Sequence, residues 1–142
     1  MKINYLKLKH WLLVSLAGML GINVTSCVME YGCPMADYNI KGKVTDPNGN
    51  PVSGIKVDMI GFSSTTTSDD GSYNMNTRVE PYYPAETVDV AFVDIDSTEN
   101  GLFKNDTVPV IFQYSEFTGG NGRWYEGSVT KTLNVSLQPV EE

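Results

Sequence analysis

Residues with chemical reach are few in this chain and unevenly placed. The only histidine is His10, inside a lysine-led apolar stretch at the N-terminus, and the only cysteines are Cys27 and Cys33. A serine or cysteine nucleophile needs an adjacent general base, usually imidazole, so Ser-His-Asp and Cys-His arrangements cannot be assembled beyond residue 26. Histidine-based zinc and iron centres are excluded on the same ground. Carboxylates are plentiful, with 17 Asp and Glu. Two of them suffice for glycoside hydrolysis, which keeps a carboxylate-dependent glycan-acting protein among the alternatives. On a small acidic body, however, chance carboxylate pairs are expected, and no catalytic residue is assigned.

Asp94, Asp96, Glu99 and Asn100 place oxygen ligands at alternating positions before Gly101, a donor set suited to a hard cation such as Ca2+. Asp94, Asp96 and Asn100 are the candidate ligands. Thr98 and Glu99 stand where an EF-hand loop has Asp/Asn and Gly, so the simpler expectation is a solvated acidic strand end followed by an Asn-Gly turn. No other cofactor is implied. Tyr82, Tyr83, Tyr114, Phe117, Trp124 and Tyr125 fall near expected loops. Exposed rings bind sugars and protein partners by stacking and apolar contact, which makes Tyr82, Tyr83, Trp124 and Tyr125 candidate contacts for a glycan or an envelope protein. The plainer expectation is that Trp124 and Tyr125 plug one end of the fold. Cys33 lies between Glu30 and Asp37, acidic neighbours that do not favour a reactive thiolate.

The N-terminus has its own grammar. Lys2, Lys7 and Lys9 carry the only formal charges in residues 1–26, and an apolar run of 14 residues extends from Trp11 to Val24. A positive start, a short apolar stretch and small residues before a cut describe a signal peptide. A membrane span needs about 20 apolar residues, and this run is shorter and interrupted by Gly18, Gly21 and Asn23. Val24-Thr25-Ser26-Cys27 resembles the bacterial lipobox. The resemblance implies cleavage after Ser26, diacylglyceration of the Cys27 thiol and acylation of the new amino group. Residues 27–36 then form a lipidated tether. One acyl chain anchors only marginally, at about 0.8 kcal/mol per buried methylene, whereas two or three give stable attachment. With Cys27 acylated, Cys33 has no disulfide partner within the chain. It is then an inert reduced thiol or pairs with another molecule; without acylation, Cys27 and Cys33 can form a disulfide.

Loss of residues 1–26 removes three lysines and no acid, leaving 7 basic against 17 acidic residues, a formal charge of −10 over 116 residues. Nucleic-acid partners require basic patches, so none is expected. Binding to anionic lipid through the protein surface is disfavoured, and the acidity mainly favours solubility.

Downstream of the tether no helical period is sustained, while several stretches alternate with period two. Tyr38, Ile40 and Val44 share one face, with Gly42 at a further place on it. Ile55, Val57 and Met59 alternate next, and the polar β-branched residues 63–67 suit an exposed edge strand. Tyr73, Met75 and Thr77 follow. Val88, Val90 and Phe92 face one way and Ala91, Val93 and Ile95 the other, as in a central strand. Residues 107–117 form another strand, placed partly on an edge by Pro109. Val129, Leu133, Val135 and Leu137 close the pattern, with Lys131 as its polar exception. Turn chemistry marks Asp46-Pro47-Asn48-Gly49-Asn50-Pro51 and Asp69-Asp70-Gly71 as hairpin reversals. Seven short strands separated by turns predict a single all-β domain over residues 37–142, a seven-strand antiparallel sandwich of Ig-like, two-sheet architecture.

Residues 38–75 resemble the carboxypeptidase regulatory-like family, a transthyretin-like β-sandwich. The matching segments are Ile40-Lys41-Gly42-Lys43-Val44-Thr45-Asp46, Gly49-Asn50-Pro51-Val52-Ser53-Gly54-Ile55-Lys56-Val57 and Thr67-Ser68-Asp69-Asp70-Gly71-Ser72-Tyr73. The resemblance implies a fold rather than an activity, since such modules serve many functions. The tether Glu30-Tyr31-Gly32-Cys33-Pro34-Met35-Ala36-Asp37-Tyr38 and the loop Asp94-Ile95-Asp96-Ser97-Thr98-Glu99-Asn100-Gly101 are similar to radical-SAM-associated lipoproteins, which implies a gene neighbourhood shared with a radical SAM enzyme as a candidate partner and no established activity. The expectation is therefore a non-catalytic cell-envelope lipoprotein presenting a binding or scaffolding module. Its rival is a substrate or accessory of a modifying enzyme, with Cys33 or the tether as the modified position. An outer-membrane location is expected. The periplasmic face is preferred because Val28 and Met29 precede the first acid, Glu30.

Overall fold

The alternating stretches become strands because each can bury one row of apolar side chains while the other row meets water. In the computed structural model, which describes residues 33–81, 85–96 and 101–140, these strands are β1 (Met35–Thr45), β2 (Ile55–Met59), β3 (Ser63–Thr66), β4 (Ser72–Val79), β5 (Ala85–Asp94), β6 (Asp106–Gln113), β7 (Thr118–Gly119), β8 (Tyr125–Thr132) and β9 (Val135–Ser136), with a 3-10 turn at Tyr114–Glu116. From Pro34 onward the described residues belong to one compact unit. One sheet has the order β4-β1-β8-β7 with β9 added beside β1, and the other has the order β3-β2-β5-β6. Their inner faces share a core that includes Tyr38, Ile40, Tyr73 and Met75 from the first sheet and Ile55, Val57, Val90, Phe92 and Phe112 from the second. Among the described residues no helix is long and apolar enough to cross a membrane.

The fold is the expected all-β sandwich, with β5 central and β3 and β6 at edges. Three details differ from the sequence reading. First, β1 begins at Met35, inside the stretch read as tether, because Ala36 is fully buried and pairs with Val79 on one side and Gly127 on the other. Second, the sandwich is not wholly antiparallel: β1 runs parallel to both β8 and β9. Period-two patterning reports which face a residue occupies, not which way its neighbour runs. Third, the two turns read as hairpins both carry the chain between sheets, since β1 and β4 lie in one sheet and β2 and β3 in the other.

Those crossings are tightly hydrogen-bonded. Asp46 Oδ1 accepts the backbone N–H groups of Asn48 and Asn50 at 2.9 and 2.8 Å, and its Oδ2 accepts the Asn50 amide at 2.8 Å. In the second crossing Asp70 Oδ1 accepts Ser72 N–H at 3.0 Å. Gly71 sits at φ +73°, where a Cβ would lie 2.4 Å from the Val44 carbonyl oxygen. Thr67 is buried beneath both crossings; its hydroxyl donates to Val52 O at 2.9 Å and accepts Ile55 N–H at 3.0 Å.

Gly42 explains the gap on the inner face of β1. Between β8 and β9 the chain swings inward at Leu133, whose N–H donates to Lys41 O at 2.8 Å. A Cβ on Gly42 would lie 1.8 Å from the Leu133 carbonyl oxygen. That oxygen accepts the Tyr73 hydroxyl at 2.6 Å, and burial pushes the Tyr73 phenol above its ordinary pKa range. Lys131, the polar exception on the β8 face, extends across the Phe112 ring at 5.9 Å to reach Glu116 Oε1 at 2.5 Å. Its stem stays with the core while its charge leaves it.

Candidate functional site

Strand register brings several of the singled-out residues to one end of the sandwich, where β1 and β8 begin and β4 and β6 finish. Met35 pairs with Tyr125, Ala36 with Val79, and Ala85 with Gln113. On the outer face at this end, Arg78 of β4 lies directly across from Asp37 of β1. The Arg78 Nε donates to Oδ1 at 2.6 Å and Nη2 to Oδ2 at 2.7 Å, a two-pronged pair. Tyr125 of β8 adds its hydroxyl to Asp37 Oδ2 at 3.0 Å, and the guanidinium lies 5.3 Å over the Tyr125 ring. The Arg78 guanidinium, aided by the Tyr125 hydroxyl, holds the Asp37 carboxyl below its usual value against the opposing effect of burial. Asp37 is therefore a fixed anion near neutral pH and a poor proton donor.

Beside this cluster, Tyr114 at the 3-10 turn donates its hydroxyl to Glu126 Oε2 of β8. The two residues, with Pro34, Glu80 and Pro81, line an open groove of about 420 Å³. Among the described residues its walls are proline and tyrosine faces, its polar groups are two carboxylates and a phenol, and no lysine or arginine lines it. Such a site can accept hydrogen bonds or hold a cationic group. Among the described residues that line it there is no imidazole or thiol for covalent chemistry. A second cavity of about 280 Å³, lined by Lys104, Asn105, Asp106, Ser136, Leu137 and Gln138, lies at the opposite end.

The aromatic residues divide. Trp124 is 51% exposed and does not plug the fold. Closure at this end falls to Phe117 and Phe112, whose rings meet Tyr38 edge-on at 4.9 Å, and to Phe62, which stacks on Tyr38 at 6.5 Å. Tyr125 is half-buried on the outer face beneath Arg78 rather than inside. Tyr82, Tyr83, Asn100, Ser26 and Cys27 lie outside the described residues. Cys33 is exposed.

The calcium candidates are only partly visible. Asp94 Oδ2 accepts Phe103 N–H at 2.8 Å, and the Asp94 N–H donates to Asn105 Oδ1 at 3.1 Å, so this residue ties the end of β5 to the segment that precedes β6. Among the described residues no three His, Cys, Asp or Glu side chains gather as a metal site. The pairings Asp37–Arg78–Tyr125 and Tyr114–Glu126 escaped the sequence reading. The first has as its signal only the opposite charges of Asp37 and Arg78, 41 residues apart, and the second pairs a phenol with a carboxylate 12 residues on; no local pattern singles out either. Compared with known protein families and with curated proteins, the chain matches none.

Proposed function

We propose that this chain is the precursor of a non-catalytic bacterial cell-envelope lipoprotein that presents a β-sandwich binding or scaffolding module on a short lipidated tether. The observation that carries the reading is the 14-residue apolar run ending at Val24-Thr25-Ser26-Cys27, with a folded sandwich starting eight residues beyond that cysteine, at Met35. Two features support binding over catalysis: the absence of histidine after His10, and an open groove whose described polar groups are two carboxylates and a phenol, with no imidazole or thiol among them. A transthyretin-like identity for the sandwich is supported by where the resembling residues fall, since the segments around Asp46 and Asp70 form the two crossings between sheets. The anchored protein belongs to the outer membrane, with its sandwich in the periplasm.

Intact mass and fractionation after expression in a bacterial host test the reading. The wild-type product is expected in the membrane fraction, shortened by residues 1–26 and heavier by a lipid adduct, and Cys27→Ser is expected to lack the adduct. A wild-type chain that keeps residues 1–26 and carries no lipid overturns it. The exposure of Cys33 favours one second reading, in which the protein is the substrate or accessory of a modifying enzyme of the radical SAM class. A mass increment on the tether beyond the lipid, in protein from its native host, would decide for it.

A further inference from the structure

The β7–β8 tip points a tryptophan outward at the end of the sandwich from which the tether leaves. Met35 N–H donates to Trp124 O at 3.0 Å, so the first residue of β1 and the tryptophan are tied together. Cys27 precedes Met35 by eight residues, a length that reaches at most about 28 Å when fully extended. Whatever holds Cys27 therefore holds Trp124 near it. The tip is also pre-shaped: Asn121 Oδ1 accepts the N–H groups of Arg123 and Tyr125 at 3.0 and 3.1 Å, and Asn121 N–H donates to Tyr125 O at 2.8 Å. Trp124 is 51% exposed on this braced turn with exposed Arg123 beside it, and at the same end Ile60, in the β2–β3 turn, is 52% exposed.

We propose that this end of the sandwich rests on the bilayer that holds the lipid anchor, with the Trp124 indole among the headgroups and the Arg123 guanidinium at their phosphates. The inference deepens the lipoprotein reading and rests on it. Indole, with an apolar body and one N–H, is suited to the boundary between hydrocarbon and water, and guanidinium pairs with phosphate. The acidic body, with Glu80 and Glu126 in the neighbouring groove, opposes an anionic surface. The contact therefore suits zwitterionic headgroups and stays shallow, with the groove still open to water. The opposite end also exposes apolar side chains, Ile95, Leu102 and Val140, but β1, 11 residues long, separates it from the tether. That strand spans roughly 35 Å.

The protein supplies its own reporter. Of its two tryptophans Trp11 leaves with residues 1–26, so the mature chain retains Trp124 alone. The acylated protein, purified in detergent and reconstituted into phosphatidylcholine vesicles, is compared with and without bromine on the acyl chains near the headgroup. Trp124 emission is expected to shift to the blue, to be quenched by the brominated lipid and to lose sensitivity to aqueous iodide. A Trp124→Phe, Leu102→Trp variant moves the reporter to the far end, where emission is expected to stay that of water-exposed indole. Trp124 emission unchanged by brominated lipid on a chain whose intact mass shows acylated Cys27 overturns the membrane contact alone. Quenching of the far-end reporter as strong as that of Trp124 overturns the orientation. An intact mass without lipid overturns the lipoprotein reading and the contact together.

Discussion

Tyr73 and Gly42 solve one steric and electrical problem between them. The chain must bring the Leu133 peptide under β1, and the only way in is a position with no side chain; the carbonyl carried in then needs a donor, which the Tyr73 hydroxyl provides at 2.6 Å. Gly42→Ala is expected to destabilise the protein by about 1–3 kcal/mol or more, because the clash at 1.8 Å is with backbone rather than a mobile side chain. Tyr73→Phe, which keeps the ring against Phe92 and removes only the hydroxyl, is expected to cost about 1 kcal/mol. Urea unfolding of both variants checks the ranking, and equal midpoints for Gly42→Ala and wild type would show that β1 does not need the gap. The sequence displayed Gly42 as a missing member of an apolar row. It could not display why, since the group that fills the gap lies 91 residues downstream.

At the scale of elements, the two crossings between sheets are held by carboxylates. The hydrogen bond from the Asn50 side chain to Asp46, and those from Ser72 to Asp70, keep both carboxyls below their usual values; Asp70 comes down to about 2, with Lys43 contributing less. Lys131 does the same for Glu116 at the 3-10 turn, and Arg78 for Asp37 on the outer face. A carboxyl whose pKa is lower in the folded state stabilises above its unfolded value and loses that contribution as pH falls through the folded one. Stability is therefore expected to be level above about pH 5 and to decline between about pH 4 and pH 2. Urea midpoints measured across that range test this, and Asp70→Asn is expected to flatten the lower part of the decline. A midpoint that does not move between pH 5 and pH 2 would contradict the assignment. The turn chemistry of both segments was plain from Asp, Asn, Gly and Pro, but their use as crossings was not. A tight reversal looks the same whether the next strand joins the same sheet or the facing one.

For the whole molecule, the last residues complete what the first strand begins. β8 and β9 flank β1 in parallel, and Leu137 N–H donates to Thr45 O at 2.9 Å while its side chain is 1% exposed. Leu137→Ala is thus expected to cost about 2–5 kcal/mol although it lies close to the C-terminus. Ile111→Ala, on an edge strand at 56% exposure, is expected to stay within about 0.5 kcal/mol. Thermal or urea unfolding of the two variants distinguishes a sandwich closed by its C-terminal segment from one that merely ends with it. The same closure accounts for the candidate site: pairing β8 with β1 sets Tyr125 beside Asp37 and leaves Trp124 beside Met35, where β1 begins.

The sequence by itself determined which face of each strand is buried and where the chain must turn, because these depend on neighbours a few residues away. Tyr38, Ile40, Val57, Val90 and Phe92 were legible as core on that basis. Only the tertiary structure decided that the first strand lies parallel to the last, that both tight turns change sheets, and that Asp37, Arg78 and Tyr125 form one cluster. Those outcomes depend on pairing between segments tens of residues apart. That pairing is chosen by how well two whole inner faces fill the space between them, a quantity no local stretch of sequence contains.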